Sequence, residues 1–168
     1  MIKIIKYFFQ SIVIYSFFLI GKLIGLKFSR KFFAIIFKKI GPLFKSKEII
    51  NMNLKIFSKN INENEIEKIS LGMWENYGKT FIEYAFLDKF RENKTNIKIL
   101  GEQNLIKILA DKKPVIFVSG HFANYELMSM EITRKQIKLA TIYRPLNNYF
   151  LNPFMEYLRK KYVCKNQI

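Results

Sequence analysis

The run Tyr7–Leu26, YFFQSIVIYSFFLIGKLIGL, constrains the fold more than any other stretch. It matches the ~20 apolar residues a helix needs to cross a bilayer core of ~30 Å, and its main interruptions are Gln10 and Lys22. Such a segment either enters a membrane or forms the centre of a soluble core. Lys3 and Lys6 precede it, as in a signal peptide, but no small-residue cleavage site follows. Lys22, Lys27, Arg30 and Lys31 come instead, which favours retention. Together with Lys38, Lys39, Lys45 and Lys47 these cations outnumber the two before the run, so the positive-inside bias places the bulk of the chain in the cytoplasm. The expectation is a membrane anchor helix over residues 1–28, with a buried core helix as the competing reading.

The net charge of +16 calls for an anionic partner, whether nucleic acid, a membrane surface or an acidic protein, although a chain so rich in Lys, Ile and Asn also fits a biased codon composition. Residues 1–60 hold 12 Lys or Arg against the single acid Glu48, so the excess adjoins the greasiest stretch. Only 5 of the 29 basic residues are Arg, whereas base and phosphate recognition draws on the bidentate guanidinium fork. No nucleic-acid partner is expected. With Cys164 the only cysteine and His121 the only histidine, no intrachain disulfide forms and no metal site of several His or Cys ligands can be built.

A second basic, aromatic helix is expected over Ser29–Ile40, with Ser29 as its N-cap, Lys38 and Lys39 in its last turn and a Gly41-Pro42 stop. It suits either a place in the membrane interface or packing on the anchor. Ser46–Phe57 reads as helical. Asn62, three residues before Glu65, resembles a capping box that opens a long helix to about Leu87, with an apolar stripe of Ile66, Ile69, Met73, Tyr77, Phe81 and Tyr84/Ala85, widened by Trp74, Ile82 and Phe86. Glu83 falls in that stripe, either at an edge that reaches water or with a functional partner. After the polar spacer Arg91–Asn96 the pattern becomes strand IKIL (Ile97–Leu100), helix Glu102–Asp111, buried strand VIFVS (Val115–Ser119), helix Asn124–Arg134, strand KLATIY (Lys138–Tyr143) and a helix opened by Asn152-Pro153. This alternation predicts an α/β layer with parallel strands, whose sites lie at the strands' carboxyl ends, where His121 and Arg144 fall.

VSGHFANYE is the most informative segment. A strand ends at Ser119-Gly120, His121 stands at the turn, and Glu126 follows five residues on. Residues five apart on a regular helix point about 140° away from each other, so His121 should lie outside the helix and fold back over its first turn, with Gly120 permitting the turn. Glu126 could then accept from one ring nitrogen and leave the other to take a proton. A lone His before a Glu is also common in purely structural roles.

GHFANYE resembles the His-x4-Asp/Glu signature of glycerolipid and lipid A acyltransferases, in the form seen in the late, lauroyl/myristoyl-type acyltransferases of lipid A biosynthesis. NMNLKIFSKN (Asn51–Asn60) is similar to that family's early Asn-Leu segment, WENYGKTFIEY (Trp74–Tyr84) to its following helix, and YRPLNN (Tyr143–Asn148) to its second core motif. The resemblance implies N-terminal membrane-associated helices followed by a glycerolipid-acyltransferase-like parallel sheet with flanking helices. The acyltransferase domain would occupy residues 29–168, helical over 29–90 and alternating strand and helix over 97–168. Family members continue beyond the second motif, so the chain reads as a partial domain that leaves a sheet edge exposed.

The activity implied is transfer of a fatty acyl group from acyl carrier protein to a hydroxyl of a lipid A precursor, on the cytoplasmic face of the bacterial inner membrane, with no cofactor. His121 would be the general base and Glu126 its partner. Arg144 would bind acceptor phosphate or help stabilise the oxyanion, against a surface salt bridge as the plain alternative. Asn124 matches the motif as a secondary substrate contact, although a helix-opening Asn is usually a cap. Two other readings stay open: another membrane glycolipid or phospholipid as acceptor, and a non-catalytic membrane-surface protein or inactive fragment.

Overall fold

Gly25 sets the course of the longest element. The computed structural model describes residues 2–43, 47–93 and 96–168. Helix α1 (Ile2–Ile40) takes in both N-terminal segments that the sequence divides, and Gly25, at φ 79° and ψ 162°, is the break inside it. Only glycine reaches that conformation at little cost. Ser29, expected as an N-cap, lies within the helix and is fully buried, its hydroxyl 2.6 Å from the Gly25 carbonyl oxygen and 2.7 Å from that of Gly21. It supplies a donor where the broken ladder leaves carbonyls short of amides. α1 is, among the described residues, the one helix long and apolar enough to cross a membrane, and only 17% of its most apolar window is buried. A core helix would have most of that window covered; here Phe9, Leu19, Leu23 and Phe28 stand exposed.

Internal contacts divide the chain into two compact units, Phe18–Tyr84 on the one hand, and the stretch through Phe17 with Ala85–Ile168 on the other. In the first, α1 stops at the expected Gly41-Pro42, in a 3-10 turn over Gly41–Leu43. Helix α2 (Lys47–Phe57) follows; Ser46, its expected first residue, lies outside the described residues, as do two positions of the polar spacer, 94 and 95. Helix α3 (Glu63–Glu83) opens with the expected capping box: Glu65 N donates to Asn62 Oδ1 at 2.9 Å and Asn62 N to Glu65 Oε2 at 3.1 Å. It ends four residues earlier than the hydrophobic pattern suggests, in a 3-10 turn at Tyr84–Phe86.

The buried line of α3 is Ile66, Trp74, Gly78 and Ile82, not the Ile69 and Tyr77 that helical spacing also offers, which are about half exposed. Gly78 is the reason. Its Cα faces the backbone of α1, and a Cβ there would collide with the Phe33 carbonyl. The close approach lets Phe33, fully buried, and Phe37 pack their rings on Phe81 at 5.8 and 5.3 Å. Glu83 does not reach water at an edge; it is buried and its Oε1 pairs with Arg30 Nε at 2.9 Å. Gly to Ala in a helix interior ordinarily stabilises by about 0.5–1 kcal/mol. Gly78→Ala should reverse that sign and cost about 1–3 kcal/mol, because the added methyl meets main chain that cannot swing aside; chemical denaturation in detergent would read it.

In the second unit, α4 (Leu87–Glu92) and α6 (Glu126–Arg134) are cross-linked by two arginines. Arg91 Nη1 donates to Met130 O at 2.8 Å and Thr133 Oγ1 at 2.9 Å, while Arg134 donates to the carbonyls of Phe90 and Arg91 and pairs with Glu131 at 2.7 Å. Burial first, then the neighbouring Arg134 charge, lowers the pKa of Arg91, and Glu131 opposes them. Phe86, Leu87, Phe90, Met130 and Ile132 fill the core between these helices. Helix α5 (Glu102–Asp111) is where the sequence puts it.

The sheet is smaller than expected. Strand β1 is only Ala140–Thr141 and pairs in parallel with β2, Asn166–Gln167, a segment with no strand signature. Ile97–Leu100 and Val115–Ser119 form no strand, and Ile116 and Val118 are 88% and 90% exposed. A central parallel strand needs a neighbour on each edge and a layer on each face. The run VIFV has the composition of one, but no ladder holds it among the described residues, so it runs as irregular chain. Helix α7 (Asn152–Leu158) starts at the expected Asn152-Pro153 and passes into a wide π-type turn, Arg159–Val163.

Candidate active site

The irregular run, α6, β1 and the chain after β1 enclose a groove of about 960 Å³ within the second unit. Its walls include Ile116, Phe117, Met128, Ile132, Leu139 and Ile142, and its polar groups include His121, Tyr125, Glu126, Tyr143, Arg144 and Arg159. Among the described residues four cations line it, Lys113, Lys138, Arg144 and Arg159, against the single carboxylate of Glu126. Apolar walls with a positively charged polar lining suit an amphiphile whose head group is anionic.

The turn carrying His121 is built differently from the expectation. Gly120 does not have a positive φ; the left-handed residue is Ala123, at φ 47°. For a residue with a side chain that conformation costs about 1–2 kcal/mol, a local strain of the kind that gathers at functional sites. α6 begins at Glu126 itself, with Tyr125 as N-cap and no side-chain cap, so Asn124 does not open the helix. Asn124 is buried, its carbonyl accepts Leu127 N at 3.2 Å, and it is absent from the groove lining. His121 is exposed, and its ring meets that of Tyr125 edge to face at 4.2 Å.

Glu126 is the first residue of α6, where the amide ends favour a carboxylate. It is 6% exposed and belongs to an ion pair with Arg159, whose Nε and Nη2 both reach Oε1, at 2.6 and 2.5 Å. The Arg159 guanidinium also lies 4.4 Å from the centre of the Tyr143 ring and donates to the Tyr125 hydroxyl at 3.4 Å. One side chain thus ties GHFANYE to YRPLNN. Asn152, expected as a helix cap, instead anchors the second motif: its Oδ1 accepts from the Tyr143 hydroxyl at 2.8 Å and from Leu146 N at 2.7 Å.

His121, Glu126 and Arg144 are therefore brought to one groove, while Asn124 is not, and the ion pair of Glu126 is with Arg159. The sequence reading missed Arg159. Its one signal was residue choice: Arg rather than Lys, in a Lys-rich chain, marks stacked or bidentate sites. Arg30, Arg91, Arg134 and Arg159 all hold carboxylates or carbonyls, and only Arg144 is exposed without an ion-pair or hydrogen-bond partner among the described residues.

The profile of a family described as bacterial lipid A biosynthesis acyltransferase matches residues 1–165. Neither the curated proteins nor the solved structures searched contain a match.

Proposed function

Because the chain belongs to the bacterial lipid A biosynthesis acyltransferase family, we propose that it moves a fatty acyl chain from acyl carrier protein to a hydroxyl of a lipid A precursor, at the cytoplasmic face of the bacterial inner membrane. The observation that carries this reading is the groove itself, in which one exposed imidazole, one buried carboxylate and one guanidinium with no partner among the described residues line a largely apolar trough. His121 takes the proton of the acceptor hydroxyl as its oxygen attacks the thioester carbonyl. The tetrahedral oxyanion then collapses, the carbon–sulfur bond breaks, and the leaving thiolate recovers the proton from the imidazolium. In this reading Glu126 orients the ring and stabilises its charge. Arg159 holds that carboxylate in place.

Arg144 binds a phosphate of the acceptor. Arg144→Ala should therefore raise KM for a phosphorylated acceptor by about tenfold or more, the equivalent of a charged hydrogen bond of about 1.5–3 kcal/mol, with a smaller change in kcat. An acceptor lacking that phosphate should erase the difference. The activity itself is tested by supplying acyl carrier protein charged with labelled fatty acid to vesicles that contain the chain and a lipid A precursor. Label in ester linkage on the precursor supports the proposal, and label retained on the carrier or released as free acid refutes it.

A further inference from the structure

We infer that the loop Leu146–Leu151 and the first turns of α1 enter the interfacial layer of an anionic bilayer side by side, so that this part of α1 lies along the membrane rather than across it. The inference is independent of the acyl-transfer chemistry. It starts from contacts inside the second unit. Tyr7, Phe8 and Tyr15 pack against Tyr149, Phe150 and Phe154 at ring separations of 6.2, 5.5 and 5.5 Å, and the Tyr15 hydroxyl donates to Phe150 O at 2.7 Å. A helix fixed along this loop cannot change depth without it. From Phe18 to the break at Gly25 only roughly 10 Å of helix remains, too little to cross a core of about 30 Å alone.

The loop is equipped for a low-dielectric setting. Backbone groups at membrane depth must be satisfied within the protein. Here Asn148, itself buried, accepts Phe150 N at 3.0 Å and Leu151 N at 3.3 Å on Oδ1 and donates from Nδ2 to Tyr7 O at 2.9 Å, while Asn152 takes Leu146 N. Beside the exposed Asn147, the loop turns outward Leu146, Tyr149 and Phe150, of which Tyr149 is 71% exposed.

The helix faces agree. At about 100° per residue, Ile5, Phe9 and Ile12 fall in one arc, all exposed, and Lys3, Lys6 and Gln10 in another about 125° away, also exposed. The third face, around Tyr7, Ser11 and Tyr15, is the one on the loop. An in-plane helix has this arrangement, with an apolar face about 5–10 Å into the head-group boundary and lysines at anionic phosphates.

Spin labels on single cysteines introduced as Phe9→Cys, Gln10→Cys, Lys107→Cys and Tyr149→Cys, in a Cys164→Ser background, would test it in the full chain reconstituted into phosphatidylethanolamine–phosphatidylglycerol vesicles. All four sites are exposed, so folding should survive. The inference predicts that labels at 9 and 149 relax preferentially with oxygen and share one shallow depth, whereas labels at 10 and 107 relax preferentially with an aqueous nickel complex. A label at 10 as deep as its neighbour at 9 would mean a spanning helix and overturn the inference. So would a label at 149 as nickel-accessible as that at 107.

Discussion

Arg159→Ala should unfold the second unit more readily than any surface change, by about 3–5 kcal/mol, because it leaves the Glu126 carboxylate buried without its cation. The pair is tightly enclosed, with side-chain exposures of 12% for Arg159 and 8% for Glu126. Nε and Nη2 of the guanidinium both reach Oε1 of the carboxylate, and the same group stacks on Tyr143, so Arg159→Lys should recover the charge but not the geometry, and regain only part of the stability. Removing both charges separates the two components of the loss. The double variant Arg159→Met with Glu126→Gln should lie much closer to the parent in stability than Arg159→Ala does, since an isosteric apolar or neutral replacement of a buried pair is often close to neutral. It should still fail to catalyse. Urea titration of the detergent-solubilised chain reads the first quantity and acyl transfer the second. A loss of under about 0.5 kcal/mol in Arg159→Ala, the range of an ordinary surface substitution, would contradict the buried-pair account.

His121→Ala should give the largest effect on rate, a fall of about 10²–10⁴-fold in transfer, the usual contribution of a positioned general base. It should do so with almost no change in stability, because His121 is exposed and its ring meets that of Tyr125 only edge to face. That combination separates it from Arg159, where stability and rate should fall together. If Glu126 orients and charges the imidazole, Glu126→Gln should lose most of the same rate, and adding His121→Ala on top should cost little more, since residues acting as a unit are strongly non-additive.

How much of this was legible in the sequence depended on how local the cause was. The Asn62–Glu65 capping box, the Gly41-Pro42 stop and helix Glu102–Asp111 follow from short-range chemistry, and the structure has them where they were expected. Features set by a distant partner were not legible. Gly78 carries no hydrophobic signal, yet its lack of a Cβ fixes which side of α3 meets α1 and so exposes Ile69 and Tyr77. VIFV has the residues of a buried strand, but strand formation depends on neighbours that composition does not encode, and Asn166–Gln167, which does pair, has no strand character at all. Ser29 followed the rule for a cap and became a back-bonding residue because Gly25 broke the helix earlier.

The site shows the same division. The His121 to Glu126 spacing and the Tyr143-Arg144-Pro145 motif were visible as strings, and both strings line one groove. Arg159 was hidden because its meaning lies in its contacts to two motifs, to Tyr125 and Glu126 in one and Tyr143 in the other, none within twelve residues of it in the chain. Asn124 matched its motif and yet is buried away from the groove, so a motif match alone did not establish a substrate contact.

The most direct test of the central claim is single-turnover transfer of labelled acyl groups from acyl carrier protein to a lipid A precursor, by vesicles holding equal amounts of folded parent chain and His121→Ala. The account predicts ester-linked label with the parent and a rate at least about 10²-fold lower in the variant. Equal transfer by both would contradict it, and would remove His121 from the chemistry of the groove.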